Sequence, residues 1–137
     1  MSGLVLKLAP HERVLINGAV IENGERRSKI AIVTPDVNVL RLRDAIHPDM
    51  ANTPVARACY IAQLILSGDA GRNEGGRQLS LAIENLSQVF FDQDSRRILN
   101  EATEHVFRAE FYQSLRQLRG LLPREARLLT IAQQERA

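Results

Sequence analysis

The stretches Arg26-Arg27-Ser28-Lys29-Ile30-Ala31-Ile32-Val33 and Asn38-Val39-Leu40-Arg41-Leu42-Arg43 decide how the first part of the chain is read. Successive side chains of an extended chain point to opposite faces, so Arg27 and Lys29 share a side that Ile30 and Ile32 do not. In the second run Arg41 and Arg43 lie with Val39, opposite Leu40 and Leu42. Each run is therefore expected to form a strand with an aliphatic face toward a core and a cationic face turned away from it.

Working outward, the first fifty residues are punctuated like a β structure. Asn17-Gly18 and Asn23-Gly24 supply the positive φ angles of tight turns. Leu4, Leu6 and Leu8 alternate with Val5 and Lys7, and Pro10 ends that strand. Arg13 to Ile16 and Ala19 to Glu22 flank the first Asn-Gly as a hairpin. With the two opening runs, joined through Thr34-Pro35-Asp36, this makes about five strands, enough for a small antiparallel sheet or barrel.

Helix signals begin after His47-Pro48-Asp49. Thr53-Pro54 offers a capping hydroxyl and a proline at the first helical position, and Gly68 can end the helix that follows. Ala58, Ile61, Ala62, Ile65 and Leu66 give it an apolar stripe. Residues 67–78 carry Gly68, Gly71, Gly75 and Gly76, which reads as a mobile connector. It lacks the Gly-Lys-Ser/Thr of a phosphate loop, leaving Arg72 and Arg77 as minor contacts at most. A second helix is expected from about Gln78 to Phe91. A long third one runs from Asp92 or Asp94 through Gly120, and a short terminal one begins at Pro123. The expected fold class is α+β, with a β lobe over residues 1–50 and a lobe of three to four helices over 51–137. The apolar surface of these helices exceeds what a single small sheet covers, which leaves room for an oligomer or partner interface.

Bulk properties narrow the function. The chain has 137 residues, 45% hydrophobic and 25% charged, ordinary values for a globular protein able to bury a core without staples. Its net charge is only +2, so nucleic-acid binding would need local clustering rather than a polybasic chain. Cys59 is the single cysteine and allows no internal disulfide. Residues 1–8 lack the pattern of an export signal, and no stretch approaches a membrane span, so a cytoplasmic protein without membrane contact is expected.

Catalytic and metal constellations are missing from the pattern. His11, His47 and His105 fall in a turn, a linker and a helix without zinc-site spacing. Cys59 lies on an apolar helix stripe and has no partner base in sequence, which suits a buried thiol. Glu101, Glu104 and Glu110 sit among arginines as solvated ion pairs do. No enzyme, cofactor or metal is expected. Two uses of the cationic strand face stay open: keeping an exposed sheet soluble, or holding a phosphate backbone. Residues 1–59 contain no aromatic, so this lobe cannot stack bases as an RRM or oligonucleotide-binding barrel does.

The run Leu6 to Glu12, then Val14-Leu15-Ile16-Asn17-Gly18-Ala19-Val20-Ile21 and Asn23-Gly24-Glu25-Arg26-Arg27, resembles the FlbT family of flagellar regulators. Val39-Leu40-Arg41 before Asp44-Ala45-Ile46, and Asn52-Thr53-Pro54 with Arg57, continue the likeness in the family's order. The resemblance implies a cytoplasmic bacterial protein that binds the 5′ untranslated leader of flagellin mRNA and alters its translation or decay, with a FlaF-like protein as partner. Lys29-Ile30-Ala31-Ile32, Pro35, Val39 and Arg43-Asp44-Ala45-Ile46 are also similar to the carbon storage regulator family, an aromatic-poor RNA-binding β protein that dimerises. By that likeness Arg43 takes an RNA-contacting place. Leu8 departs from that family's basic first strand, and Ala56 departs from the paired basic residues that FlbT proteins carry after Thr-Pro.

The expectation that follows is post-transcriptional control of flagellin. Arg41 and Arg43 make the primary RNA contacts, Arg27 and Lys29 hold flanking phosphates, and Arg26 and Arg57 are peripheral. The rival is a protein-interaction module or chaperone-like adaptor in flagellar assembly, with the basic face serving solubility alone.

Overall fold

The computed structural model describes residues 4–136; residues 1–3 and 137, which the two expected lobes include, lie outside the described residues. Five strands precede five α-helices: β1 (Leu4–Leu8), β2 (Arg13–Ile16), β3 (Ala19–Glu22), β4 (Ser28–Ile32), β5 (Val39–Arg41), α1 (Pro54–Ser67), α2 (Arg72–Leu86), α3 (Gln93–Phe107), α4 (Phe111–Arg119) and α5 (Leu122–Arg136). The fold class is α+β, as the hydrophobic patterning predicts.

The strands form two small antiparallel sheets rather than one: β1 pairs with β4, and β2 lies between β3 and β5. The two Asn-Gly pairs explain the division. Asn17 (φ 48°) and Gly18 (φ 83°) both take positive φ and close the β2–β3 hairpin. Asn23-Gly24 does not form a tight hairpin turn. The Asn23 side-chain amide instead donates to the carbonyls of Ala9 at 2.8 Å and Arg26 at 2.9 Å, and its Oδ1 accepts the Ser28 hydroxyl at 2.7 Å. These bonds carry the chain away from β3 and bring the start of β4 against the end of β1.

Helix α1 begins and ends as its sequence signals require. Thr53 Oγ1 accepts from the Ala56 N–H at 3.2 Å, Pro54 opens the first turn, and Gly68 closes the helix at φ 88°. A long-range bond adds to this cap: the Val55 N–H donates to Glu125 Oε2 of α5 at 2.8 Å, setting a carboxylate at the positive end of α1.

Three helical expectations are corrected. The glycine-rich segment is not a connector, because α2 starts at Arg72 and contains Gly75 and Gly76. A Cβ on Gly75 would stand 2.6 Å from Ile65 Cγ1, so Gly75 lets α2 cross close to α1, while one on Gly76 would stand 3.6 Å from the Phe111 ring. The single helix expected through Gly120 is two helices. Ala109 takes φ 57°, the Glu110 N–H turns back to the His105 carbonyl at 2.8 Å, and α4 then runs back along α3. Ser114 Oγ donates to the Ala102 carbonyl at 3.1 Å across that α3–α4 contact. Helix α5 is not short, since it runs 15 residues, and Leu128, Leu129 and Ile131 are exposed on it.

One hydrophobic cluster joins both parts of the chain. Leu6, Leu8, Val14, Val39 and Leu40 from the strands pack with Val55, Ala62 and Ile65 of α1, Leu79 and Ile83 of α2, and Leu115 and Leu118 of α4. This shared core fixes α4 beside β1, and that placement creates the site described next.

Candidate nucleic-acid interface

Alternation puts Leu6 and Leu8 of β1 into the core and leaves Val5 and Lys7 facing solvent. In β4 Lys29 and Ala31 are likewise exposed while Ile30 and Ile32 are half-buried. Antiparallel register sets Lys7 directly opposite Lys29. Like charges placed so destabilise an isolated ribbon, and an anion between them relieves that cost.

Beside this pair a groove of about 970 Å³ opens between the β1–β4 ribbon and α4. Its lining holds seven cationic side chains, Lys7, Arg27, Lys29, Arg41, Arg43, Arg116 and Arg119, and a single acidic one, Asp44. In a chain of net charge +2 this is a strong local concentration. The internal ion pairs belong to Arg41, Arg43 and Arg119. Arg43 Nε lies 3.7 Å from Glu12 and 3.9 Å from Asp44, and Arg119 Nε lies 3.7 Å from Asp44. Among the described residues no ion pair engages Lys7, Arg27, Lys29 or Arg116, so four cations are left to face a ligand.

Arg41 occupies a different position from the one its strand alternation predicts. All three residues of β5 are buried, because the strand is paired with β2 on one edge and packed on α1. Arg41 is 7% exposed. Its Nε and Nη2 grip the two Glu12 carboxylate oxygens at 2.7 and 2.8 Å, and Nη2 also donates to the Lys7 carbonyl. The Arg41 hydrogen bond holds the Glu12 carboxyl down at about 2, against a smaller opposing effect of burial. The same bond raises Arg41 above its ordinary value. Arg41 is thus the floor of the groove, a bidentate pair that fixes β5 to β1 and the turn after it.

Arg43 does not share a strand face with Arg41. It lies in a 3-10 turn over Leu42–Asp44, half exposed at the rim of the groove. Arg27 and Lys29 line the groove together, as their alternation predicts. Arg26 lies in the bend before β4 and Arg57 in the first turn of α1, where its Nη2 donates to the Asn52 carbonyl at 3.3 Å. Both are exposed and outside the groove lining.

The groove also takes in Lys7, Arg116 and Arg119, which lie outside the two cationic runs of the sequence. Lys7 carries a legible signal, its alternation with Leu6 and Leu8. Arg116 and Arg119 are three residues apart on one helix face, but only the tertiary packing shows that this face meets the ribbon. Tyr112 is the groove's one aromatic, buried at 4% exposure with Arg116 over its ring at 5.9 Å, so it offers no open face for a base.

Other chemistry finds little support. Burial pushes the Cys59 thiol up to about 12, far from a nucleophile's range. Among the described residues no group of three or more His, Cys, Asp or Glu is placed to hold a metal ion, and no helix is long and apolar enough to cross a membrane. The arrangement suits a polyanion held by several separate contacts.

The family model described as "Flagellar protein FlbT" matches residues 4–129. A "Probable flagellum biosynthesis repressor protein FlbT 1" of Bradyrhizobium diazoefficiens is 29% identical over 126 residues, covering 91% of this chain and 84% of that protein. A "Probable flagellum biosynthesis repressor protein FlbT" of Rhodopseudomonas palustris is 30% identical over 128 residues, covering 93% of this chain and 98% of its own length. The "Flagellum biosynthesis repressor protein FlbT" of Caulobacter vibrioides is 25% identical over 122 residues, with 89% and 86% covered. No solved structure matches the chain.

Proposed function

The chain belongs to the FlbT family of flagellar proteins, and from that premise we propose that it represses flagellar synthesis after transcription, by binding the 5′ untranslated leader of flagellin mRNA in the groove between the β1–β4 ribbon and α4. The observation that carries this reading is the seven-to-one excess of cationic over acidic side chains in that groove, with Lys7 set opposite Lys29. Solubility alone does not call for like charges facing one another across a concave surface. RNA phosphates do, and each neutralised phosphate releases counterions.

The bound protein blocks translation or alters decay of the message. A FlaF-like protein is the proposed partner, and a second copy of this chain a further one. Exposed apolar side chains on the helical side, Phe91, Phe107 and Leu128 among them, are available for such contacts. The rival reading, an adaptor that binds protein only, predicts that groove charge is irrelevant to activity.

Gel retardation of a flagellin leader transcript separates the two. Lys29→Glu combined with Arg116→Glu is expected to weaken retention about tenfold or more, because two phosphate contacts become repulsions. Arg26→Glu combined with Arg57→Glu should stay within about threefold, both residues lying outside the groove. Equal retention by the groove variant and wild type, with circular dichroism showing both folded, would overturn the proposal.

A further inference from the structure

Helix α5 is fastened to the body at its start. Glu125 caps α1 through the Val55 N–H, and Arg124 donates to Ser95 Oγ at 2.8 Å and pairs with Asp92 at 3.7 Å and with Asp94. Over residues 126–136 the helix continues without such ties. Among the described residues no side chain of this stretch joins the hydrophobic core, an ion pair or a hydrogen bond to another element. Leu128, Leu129 and Ile131 stand 44%, 44% and 50% exposed. So short a helical stretch has little stability in water unless one of its faces is packed. Its charges are patterned as well. Arg127, Ile131 and Glu135 form one row at four-residue spacing, with Leu128 and Ala132 beside it. Arg127 and Glu135 stand about 12 Å apart along the axis, too far to pair with each other.

We propose that this face of α5 pairs antiparallel with the same face of a second copy of the chain, about a two-fold axis at Ile131. Charge complementarity selects both the occupant and the direction. Ile131 lies midway between Arg127 and Glu135, so the axis sets Arg127 of each copy against Glu135 of the other. Leu128, Ile131 and Ala132 of both copies close over the axis and leave water. A parallel pair would set arginine against arginine and glutamate against glutamate, which is costly. A partner of one charge sign would satisfy one of the two groups and repel the other, whereas a second copy satisfies both. Two or three helical turns from each copy make a small interface, under about 1,200 Å² in total, so the dimer dissociates on the order of tens of micromolar. None of these residues lines the RNA groove, so the pairing and the groove can fail separately.

Sedimentation equilibrium of the full chain, from about 1 to about 300 μM, measures the pairing. Wild type should pass from monomer to dimer across that range. A chain that stays monomeric throughout, including one whose α5 binds only a FlaF-like protein, overturns the proposal. Ile131→Arg sets two arginines at the axis and should abolish the dimer while circular dichroism shows the variant folded. A dimer that persists in this variant places the interface elsewhere and overturns the assignment to α5. Arg127→Glu turns each attraction into a repulsion and should weaken association about tenfold, and Arg127→Glu combined with Glu135→Arg should restore it. The two residues are out of reach of each other within one chain, so that rescue comes only from pairing between copies. A single variant that dimerises as wild type does, or a double variant no tighter than the single, overturns the antiparallel register. Amide hydrogen exchange localises the contact. Protection over residues 128–135 should rise with protein concentration, and protection that concentration leaves unchanged overturns the pairing.

Discussion

The salt dependence of RNA binding can be worked out from the ion pairs of the groove. Arg41, Arg43 and Arg119 already face Glu12 or Asp44, which leaves Lys7, Arg27, Lys29 and Arg116 to neutralise phosphates. At about 0.7 per phosphate for a single strand, four contacts give a slope of log K against log salt of about −3, or about a 50-fold loss of affinity between 50 and 200 mM. Replacing one of the four, as in Lys29→Ala, should bring the slope to about −2 and the loss over the same range to about 20-fold. Arg26→Ala, outside the groove, should leave the slope at the wild-type value. Anisotropy titrations of a labelled leader fragment at five or so salt concentrations measure this. A slope near zero, or one that Lys29→Ala leaves unchanged while Arg26→Ala reduces, would refute the assignment of phosphates to the groove.

Other consequences concern the scaffold that shapes the groove. Arg41→Ala removes the bidentate partner of the buried Glu12 carboxylate, leaving it the Ala9 N–H and the more distant Arg43, and should cost up to about 3 to 5 kcal/mol in urea unfolding, and adding Glu12→Gln should recover part of the loss. Glu12 is held at about 2 in the fold against an ordinary 4.5, so its contribution is complete above pH 4.5 and is lost as pH falls toward 2. Stability measured from pH 6 to 2 should decline over that window, and Glu12→Gln should flatten the decline. Gly75→Val meets Ile65 across the α1–α2 crossing and should lower stability by about 1 to 3 kcal/mol, whereas Gly24→Ala, with open space around it, should be nearly neutral.

Much of the fold was legible because its signals are local. The alternation at Leu4 to Leu8, the Asn17-Gly18 turn, the Thr53-Pro54 cap and the Asp92 cap, whose Oδ2 accepts from Ser95 N–H at 2.9 Å, are each settled within a few residues. What failed depended on distant partners. Gly75 and Gly76 carry a flexible composition, yet both are buried within α2, Gly75 against Ile65 of α1 and Gly76 beside Phe111 of α4. The break at Ala109 shows no glycine or proline, and α4 folding back along α3 imposes it. Arg41 shows the same limit at the site. Strand periodicity marks it as a face residue equivalent to Arg43, but Glu12 captures it from 29 positions away and turns it into structure. Arg27 and Lys29 were readable as a cationic face. The wall across from them, Arg116 and Arg119, follows only from packing through Leu115 and Leu118.

The central claim is that RNA lies between the ribbon and α4, and ultraviolet crosslinking of a flagellin leader transcript to the intact protein tests it most directly. Peptides carrying the crosslinked nucleotide are identified by mass spectrometry. The account predicts crosslinks within Leu4–Leu8, Ser28–Ile32 and Phe111–Arg119, weakened together by Lys29→Glu with Arg116→Glu. Crosslinks confined to α2, α3 or α5, unaffected by that variant, would contradict it.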